Sequence, residues 1–145
     1  MAITDTYSKI VELARVTDGI EYAPEVLPLV LSEADLPCVL TRVGAATWNE
    51  HAVGLYRQVR TYVLDCYVAP VAEGLEPDEG YKKCLAPLYE LGRTFVQKMT
   101  LDGTVDQVGV GSRPEFRDSG VVVLPFAGRN YYGFQVTLEI TEKAV

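Results

Sequence analysis

The sequence predicts an α+β domain over 1–145: a mostly antiparallel sheet of four to five strands with two helices packed on one face, in the order α-β-β-α-β-β-β. Three stretches carry that expectation. Tyr81, Cys84, Leu85, Leu88, Leu91 and Phe95 recur at intervals of three and four, the spacing that gathers side chains on one stripe of a helix. Residues 132–141 alternate strictly, with Phe134, Val136, Leu138 and Ile140 pointing one way and Gln135, Thr137, Glu139 and Thr141 the other. Residues 55–69 are rich in Tyr, Val and Thr, which is strand composition. Amphipathic helices over a sheet with one polar face make a two-layer sandwich.

In chain order, Thr4 as N-cap and Asp5 in the first turn open a helix over 5–15 with Tyr7, Ile10, Val11 and Ala14 on one stripe. Thr17, Asp18 and Gly19 end it. The stretch to Pro37 carries Pro24 and Pro28 and reads as a surface connection with one short helical turn near 26–31. Pro37 then introduces a short apolar strand over 38–43, a position where a strand tolerates proline. The glycine-bracketed stretch 44–54 holds the single Trp and the single His and reads as a loop leaving the sheet. The strand over 55–69 would be about 50 Å long at ~3.3 Å per residue, longer than the ~40 Å body of a domain this size. Either a bulge bends it or its start joins the preceding strand in a projecting hairpin around 41–60. Pro77, Asp78 and Glu79 open the main helix, which runs to about Lys98; Pro87 inside it predicts a kink or a split. After the turn at Leu101 to Thr104 come strands over 105–110, 121–124 and 132–141. A loop over 111–118 separates the first two, and a turn over 127–130 joins the last two.

Composition excludes several classes. With 48% hydrophobic and 23% charged residues the chain can build a core, which low-hydrophobicity disordered chains cannot. A net charge of −7, with no basic run longer than Lys82-Lys83, argues against tight nucleic-acid binding, which needs clustered cations. Cys38, Cys66 and Cys84 are odd in number and show no C-x-x-C spacing, so they read as buried reduced thiols. No stretch reaches the ~18 apolar residues of a membrane span, and the first residues carry neither the basic nor the apolar region of a signal peptide. The expectation is a soluble protein made in a reducing cytoplasm.

The inventory for chemistry is thin. His51 is the one histidine, so two-histidine mechanisms and histidine-based metal sites are excluded, and in a polar loop it reads as a surface residue. Gly109-Val110-Gly111-Ser112 superficially resembles a phosphate loop, yet no Lys-Ser/Thr follows. Asp102, Asp106, Glu115 and Asp118 crowd one region without the spacing of a Ca²⁺ loop and read as a solvated acidic face. Asp65, within the long strand, reads as an ion-pair partner. No catalytic, cofactor or metal site is expected, and the chain is not expected to be an enzyme. What remains is the arginine and aromatic content outside the helices: Trp48, Tyr56, Arg57, Arg60, Arg113, Phe116, Arg129 and Tyr131, with Tyr132 beside them. These residue types are enriched in protein interfaces. The alternative, that several of the tyrosines line sheet edges, stays open.

The opening helix, the strand Leu36-Pro37-Cys38-Val39-Leu40, the long strand from Arg60 to Val68, and the helix ending Phe95-Val96-Gln97-Lys98 form an ordered series. It continues with Leu101-Asp102-Gly103 and the closing strand from Tyr131 to Ile140. Taken in order over nearly the whole chain, this series resembles the tail terminator (tail completion) proteins of long-tailed bacteriophages. The resemblance implies a homo-hexameric ring that caps the tail tube at its head-proximal end, stops tube polymerisation and forms the joint to the head. The implied partners are further copies of the chain, the tail tube protein and the neck or head-completion proteins, with DNA passing through the pore unbound and no membrane contact. The implied location is the virion, after assembly in the host bacterial cytoplasm. A terminator must match the tube's end and present a surface that no further tube subunit can extend, and heterologous contacts with rotational closure deliver a ring. The loop around Trp48 and the loop from Arg113 to Asp118 are the expected contacts. A neck or head-closure protein of the same particle is the nearest alternative. A small α+β ligand-binding domain or enzyme using Asp65, Glu139 or the acidic cluster is the more distant one.

Overall fold

The computed structural model describes residues 3–71, 77–109 and 115–144. Helix α1 spans Ile3–Arg15, strands β1 and β2 span Cys38–Ala52 and Leu55–Pro70, and helix α2 spans Pro77–Val96. The two-residue strands β3 (Gln107–Val108) and β4 (Arg117–Asp118) follow, then β5 (Val122–Phe126) and β6 (Arg129–Ala144). The chain is α+β, and every strand pair in the sheet is antiparallel.

The sheet is organised around β6. One edge of β6 pairs with β2 from Tyr131 to Ala144, and β1 pairs with the far edge of β2. The other edge of β6 takes β5, β4 and β3 in succession, opposite 129–133, 136–137 and 140–141. β6 is the element whose alternation is strictest, and Phe134, Val136, Leu138 and Ile140 are all buried. The larger core joins Ile10, Leu13 and Ala14 of α1 and Cys84, Leu91 and Phe95 of α2 to Val39, Tyr62, Leu64, Cys66 and the four β6 residues. Register puts Val39, Cys66 and Phe134 side by side on that face. A smaller core lies on the opposite face, where Cys38, Leu40, Tyr67, Leu124 and Tyr131 meet Leu31 and Leu36 of the connection after α1.

Several expectations change. The expected loop over 44–54 is strand: β1 continues to Ala52 and turns back at Val53 and Gly54, where Gly54 has φ +76° and donates its N–H to Glu50. A β-branched and aromatic partner strand recruits this polar stretch into the ladder, and periodicity within the stretch itself does not show it. The overlong β2 is accommodated both ways: register shifts lie between Val43 and Ala46 and between Tyr67 and Ala69, and the β1–β2 hairpin runs on with β6 alongside to Ala144. The helical turn expected near 26–31 is absent. A single 3₁₀ turn forms instead at Glu33–Asp35, where Asp35 accepts from both the N–H and the hydroxyl of Ser32. Pro87 leaves α2 one continuous helix rather than two pieces. β4 falls in what read as loop, because a two-residue ladder leaves no periodic signal. The expected strand over 105–110 is reduced to Gln107–Val108, and residues 110–114 lie outside the described residues. The last turn is tighter than expected: Ala127 (φ +51°) and Gly128 (φ +79°) alone connect β5 to β6, the left-handed pair that a two-residue hairpin needs.

Candidate functional site

The far end of the three long strands forms a ledge. Trp48, Gln58 and Glu142 lie abreast on β1, β2 and β6, and Glu50 lies opposite Tyr56 two residues further out. Trp48 and Tyr56 therefore share one face of the hairpin, and they stand 52% and 50% exposed. Below them the ledge is polar and closed. The Glu142 carboxylate is buried, accepts a hydrogen bond from the Thr6 hydroxyl of α1, and accepts a second from the Gln58 amide at 3.2 Å. Arg60 donates to the Gln58 side-chain oxygen (3.2 Å) and to the Gly44 carbonyl (3.0 Å). Burial raises the Glu142 pKa, while the bond from Thr6 and the charge of Arg60 act against that rise. Burial, with Glu142 nearby, also pushes the Tyr62 hydroxyl up to about 12.

On the opposite face Asp65 is buried between Arg42, which donates at 2.5 Å and 3.3 Å, and the Gln135 amide at 2.7 Å. Asp65 is thus the ion-pair partner that its position suggested. Asp102, read as part of an acidic face, is held between Lys9 (2.8 Å) and Lys98 (2.9 Å), which keep its pKa below the usual carboxylate value. Among the described residues no three His, Cys, Asp or Glu side chains come together as a metal cluster would require. No helix among them is long and apolar enough to cross a membrane. All three thiols are buried and unpaired with one another; burial pushes Cys38 up to about 12 and Cys84 up to about 11.

The eight residues expected at an interface do not form one patch. Trp48 and Tyr56 share the ledge, Arg57 lies on the same hairpin opposite Asn49, and Arg60 is committed to Gln58 and Gly44. Arg129 is exposed at the β5–β6 turn. Tyr131 corrects the expectation of exposure: it is only 2% exposed and packs edge-on against Tyr67 at 5.5 Å, because the connection after α1 covers that face of β6. Phe116 is half-buried against Phe95, with ring centroids 6.4 Å apart. Arg113 lies outside the described residues.

Sequence reasoning assigned Tyr81 and Leu85 to the buried stripe of α2, yet both are exposed, and so are Tyr89 and Val96. Leu85, Leu88, Tyr89, Gly92, Arg93 and Val96 line an open groove of about 530 Å³, closed on its far side by Phe116 and Asp118. A second cleft of about 200 Å³, lined by both polar and apolar surface, lies between Gly109, Glu115 to Arg117, and Thr137 and Glu139 of β6. The signal for the groove was present in the sequence, since 81, 85, 89, 92 and 96 make a second apolar stripe beside 84, 88, 91 and 95.

No family model matches the chain, and no curated protein sequence matches it.

Proposed function

We propose that the chain is a structural virion protein of a long-tailed bacteriophage that caps the end of the tail tube as a homo-hexameric ring, stops tube polymerisation and joins the tail to the head. The observation that carries this reading is the ledge: three long strands run out together and present Trp48 and Tyr56 half-exposed on one face. Aromatic side chains held on a rigid ladder lose little entropy when a partner covers them, which is how interface anchors work. The buried chain of Thr6, Glu142 and Gln58, extended by the half-buried Arg60, fixes the ledge beneath them. In this reading the ledge meets the tube or the neighbouring copy, and the acidic balance of the chain leaves DNA free to pass.

The experiment is a mass measurement of the purified protein alone and with tail tubes, by sedimentation velocity. The reading expects a ring, free or on tubes, and tubes that stop growing once capped. Trp48→Ala is expected to keep the fold and weaken ring formation or tube capping by tenfold or more. A protein that stays monomeric and leaves tube growth unchanged overturns the reading.

A further inference from the structure

One long edge of the sheet is open over most of its length. β1 is the outermost strand on its side, and the chain bonds its outer edge only at the start, where Val39 donates to the Tyr22 carbonyl at 2.9 Å and Tyr22 to the Pro37 carbonyl at 3.4 Å. Those bonds fix which residues look outward. Pairs in an antiparallel ladder alternate between exchanging hydrogen bonds and turning their N–H and C=O away, so Val39, Thr41 and Val43 face away from β2. Gly44 and Ala45 then oppose Thr61 together as a bulge, because Val43 pairs with Tyr62 and Ala46 with Arg60. Counted on along β2, Ala46, Trp48 and Glu50 turn outward beyond the bulge, and among the described residues no backbone bond outside the ladder reaches them. Such an edge is a template for another strand. The other side of the sheet is guarded, since Pro125 of β5 has no N–H to offer, whereas β1 contains neither proline nor lysine. Exposed apolar side chains gather along the same edge: Val43, Trp48 and, at the hairpin tip, Val53, which is 99% exposed.

We propose that the open edge of β1 takes the same edge of a second copy, antiparallel, with the two Trp48 residues facing each other across a two-fold axis. Register selects this occupant. With Trp48 opposite Trp48, Ala46 stands opposite Glu50 and Glu50 opposite Ala46, so each outward residue of 46–50 meets an outward residue and the pairs exchange backbone hydrogen bonds. A slip of one residue would set outward groups against inward ones. The apolar side chains match in the same register: Trp48 lies beside its own copy, and Val43 comes level with the partner's Val53 on both sides of the axis. Charge permits the contact. Glu50 faces alanine and Arg42 lies beyond the paired stretch, bound to Asp65, so no like charges meet although each copy carries −7. Space permits it as well, because the partner's tip at Val53 ends short of the stretch of edge that Tyr22 occupies. The contact is isologous and closes at two copies. It goes beyond the ring reading and does not rest on it, since a ring needs a heterologous contact besides.

Two measurements test the pair. Ala46→Pro removes an outward N–H that β2 does not use, so the fold is expected to survive, as circular dichroism verifies. Sedimentation velocity is expected to show paired copies of the unaltered chain and a ten- to hundredfold weaker association for Ala46→Pro. The second measurement reads the register and leaves Trp48 in place. Thr47 and Asn49, both exposed, would face each other across the axis with Cα atoms about 4.5 Å apart, within reach of a disulfide. Under the mild oxidant diamide, a mixture of Thr47→Cys and Asn49→Cys is expected to cross-link at least tenfold faster than either variant alone, the buried native thiols staying silent. Ala46→Pro that pairs as tightly as the parent overturns the contact, and so does a mixture that cross-links no faster than its components. An unaltered chain that is monomeric alone but caps tubes, and loses capping in Ala46→Pro, gives the edge to the tube protein; the pairing then falls and the ring reading stands. Pairs that form as expected while tubes grow on uncapped support the contact and overturn the ring reading alone.

Discussion

Thr6 of α1 donates its hydroxyl to the buried carboxylate of Glu142 on β6, tying together residues 136 apart in the chain. Replacing Thr6 with Val preserves shape and removes the donor, leaving a buried acceptor with only the Gln58 amide. The expected loss is about 1–3 kcal/mol of unfolding free energy, read as a lower denaturant midpoint with unchanged slope.

Glu142 also sets a direction for pH dependence. Its folded-state pKa is raised by burial, so between the unfolded and folded values the native state holds more protons. The Glu142 contribution is fully present below the ordinary glutamate pKa and is lost as pH rises through the raised one. Arg60 opposes the shift and Asp106 adds to it. Glu142→Gln is expected to flatten this fall, giving a variant whose stability relative to the parent improves from acidic to neutral pH in urea titrations.

Glycines at 133 and 92 predict opposite signs. A Cβ on Gly133 would run into the Cys66 carbonyl of the neighbouring strand, whereas one on Gly92 would meet nothing within 4 Å. Gly133→Ala is expected to lose about 2–3 kcal/mol through displaced backbone. Gly92→Ala, inside α2, is expected to gain about 0.5–1 kcal/mol from helix propensity. Thermal melts of the two variants measure both.

The three thiols should be silent in the native protein. Cys38, Cys66 and Cys84 are buried with pKa values pushed upward, so neither access nor thiolate favours reaction. At pH 8 a thiol reagent is expected to label none of them quickly and all three after denaturation. Fast labelling of one in the folded protein would show that its part of the core opens locally.

Legibility in the sequence followed burial. β6 and the inner stripe of α2 could be read because one face of each meets a continuous core, which forces periodicity into the residues. The 44–50 part of β1 could not, because its ladder is supplied by β2 and its own residues are exposed or only partly buried, so no core imposes a period on them. Tyr131 looked like Tyr56 in sequence. The difference is made by Leu31 and Leu36, nearly a hundred residues earlier, which fold over one tyrosine and not the other. Trp48 and Arg129 were identifiable as residue types suited to contact, but only the register of the three long strands places Trp48 beside Tyr56 and away from Arg129.

The position of β6 bears on synthesis. Every other strand except β1 pairs directly with it, and it is the last of the six to leave the ribosome. Until it emerges, β2 has an open edge, β3 to β5 lack their strand partner, and the apolar faces of both helices lack the β6 side chains they pack against. A chain that stops before Arg129 therefore cannot complete the sheet, and the apolar side chains that pack on β6 stay uncovered.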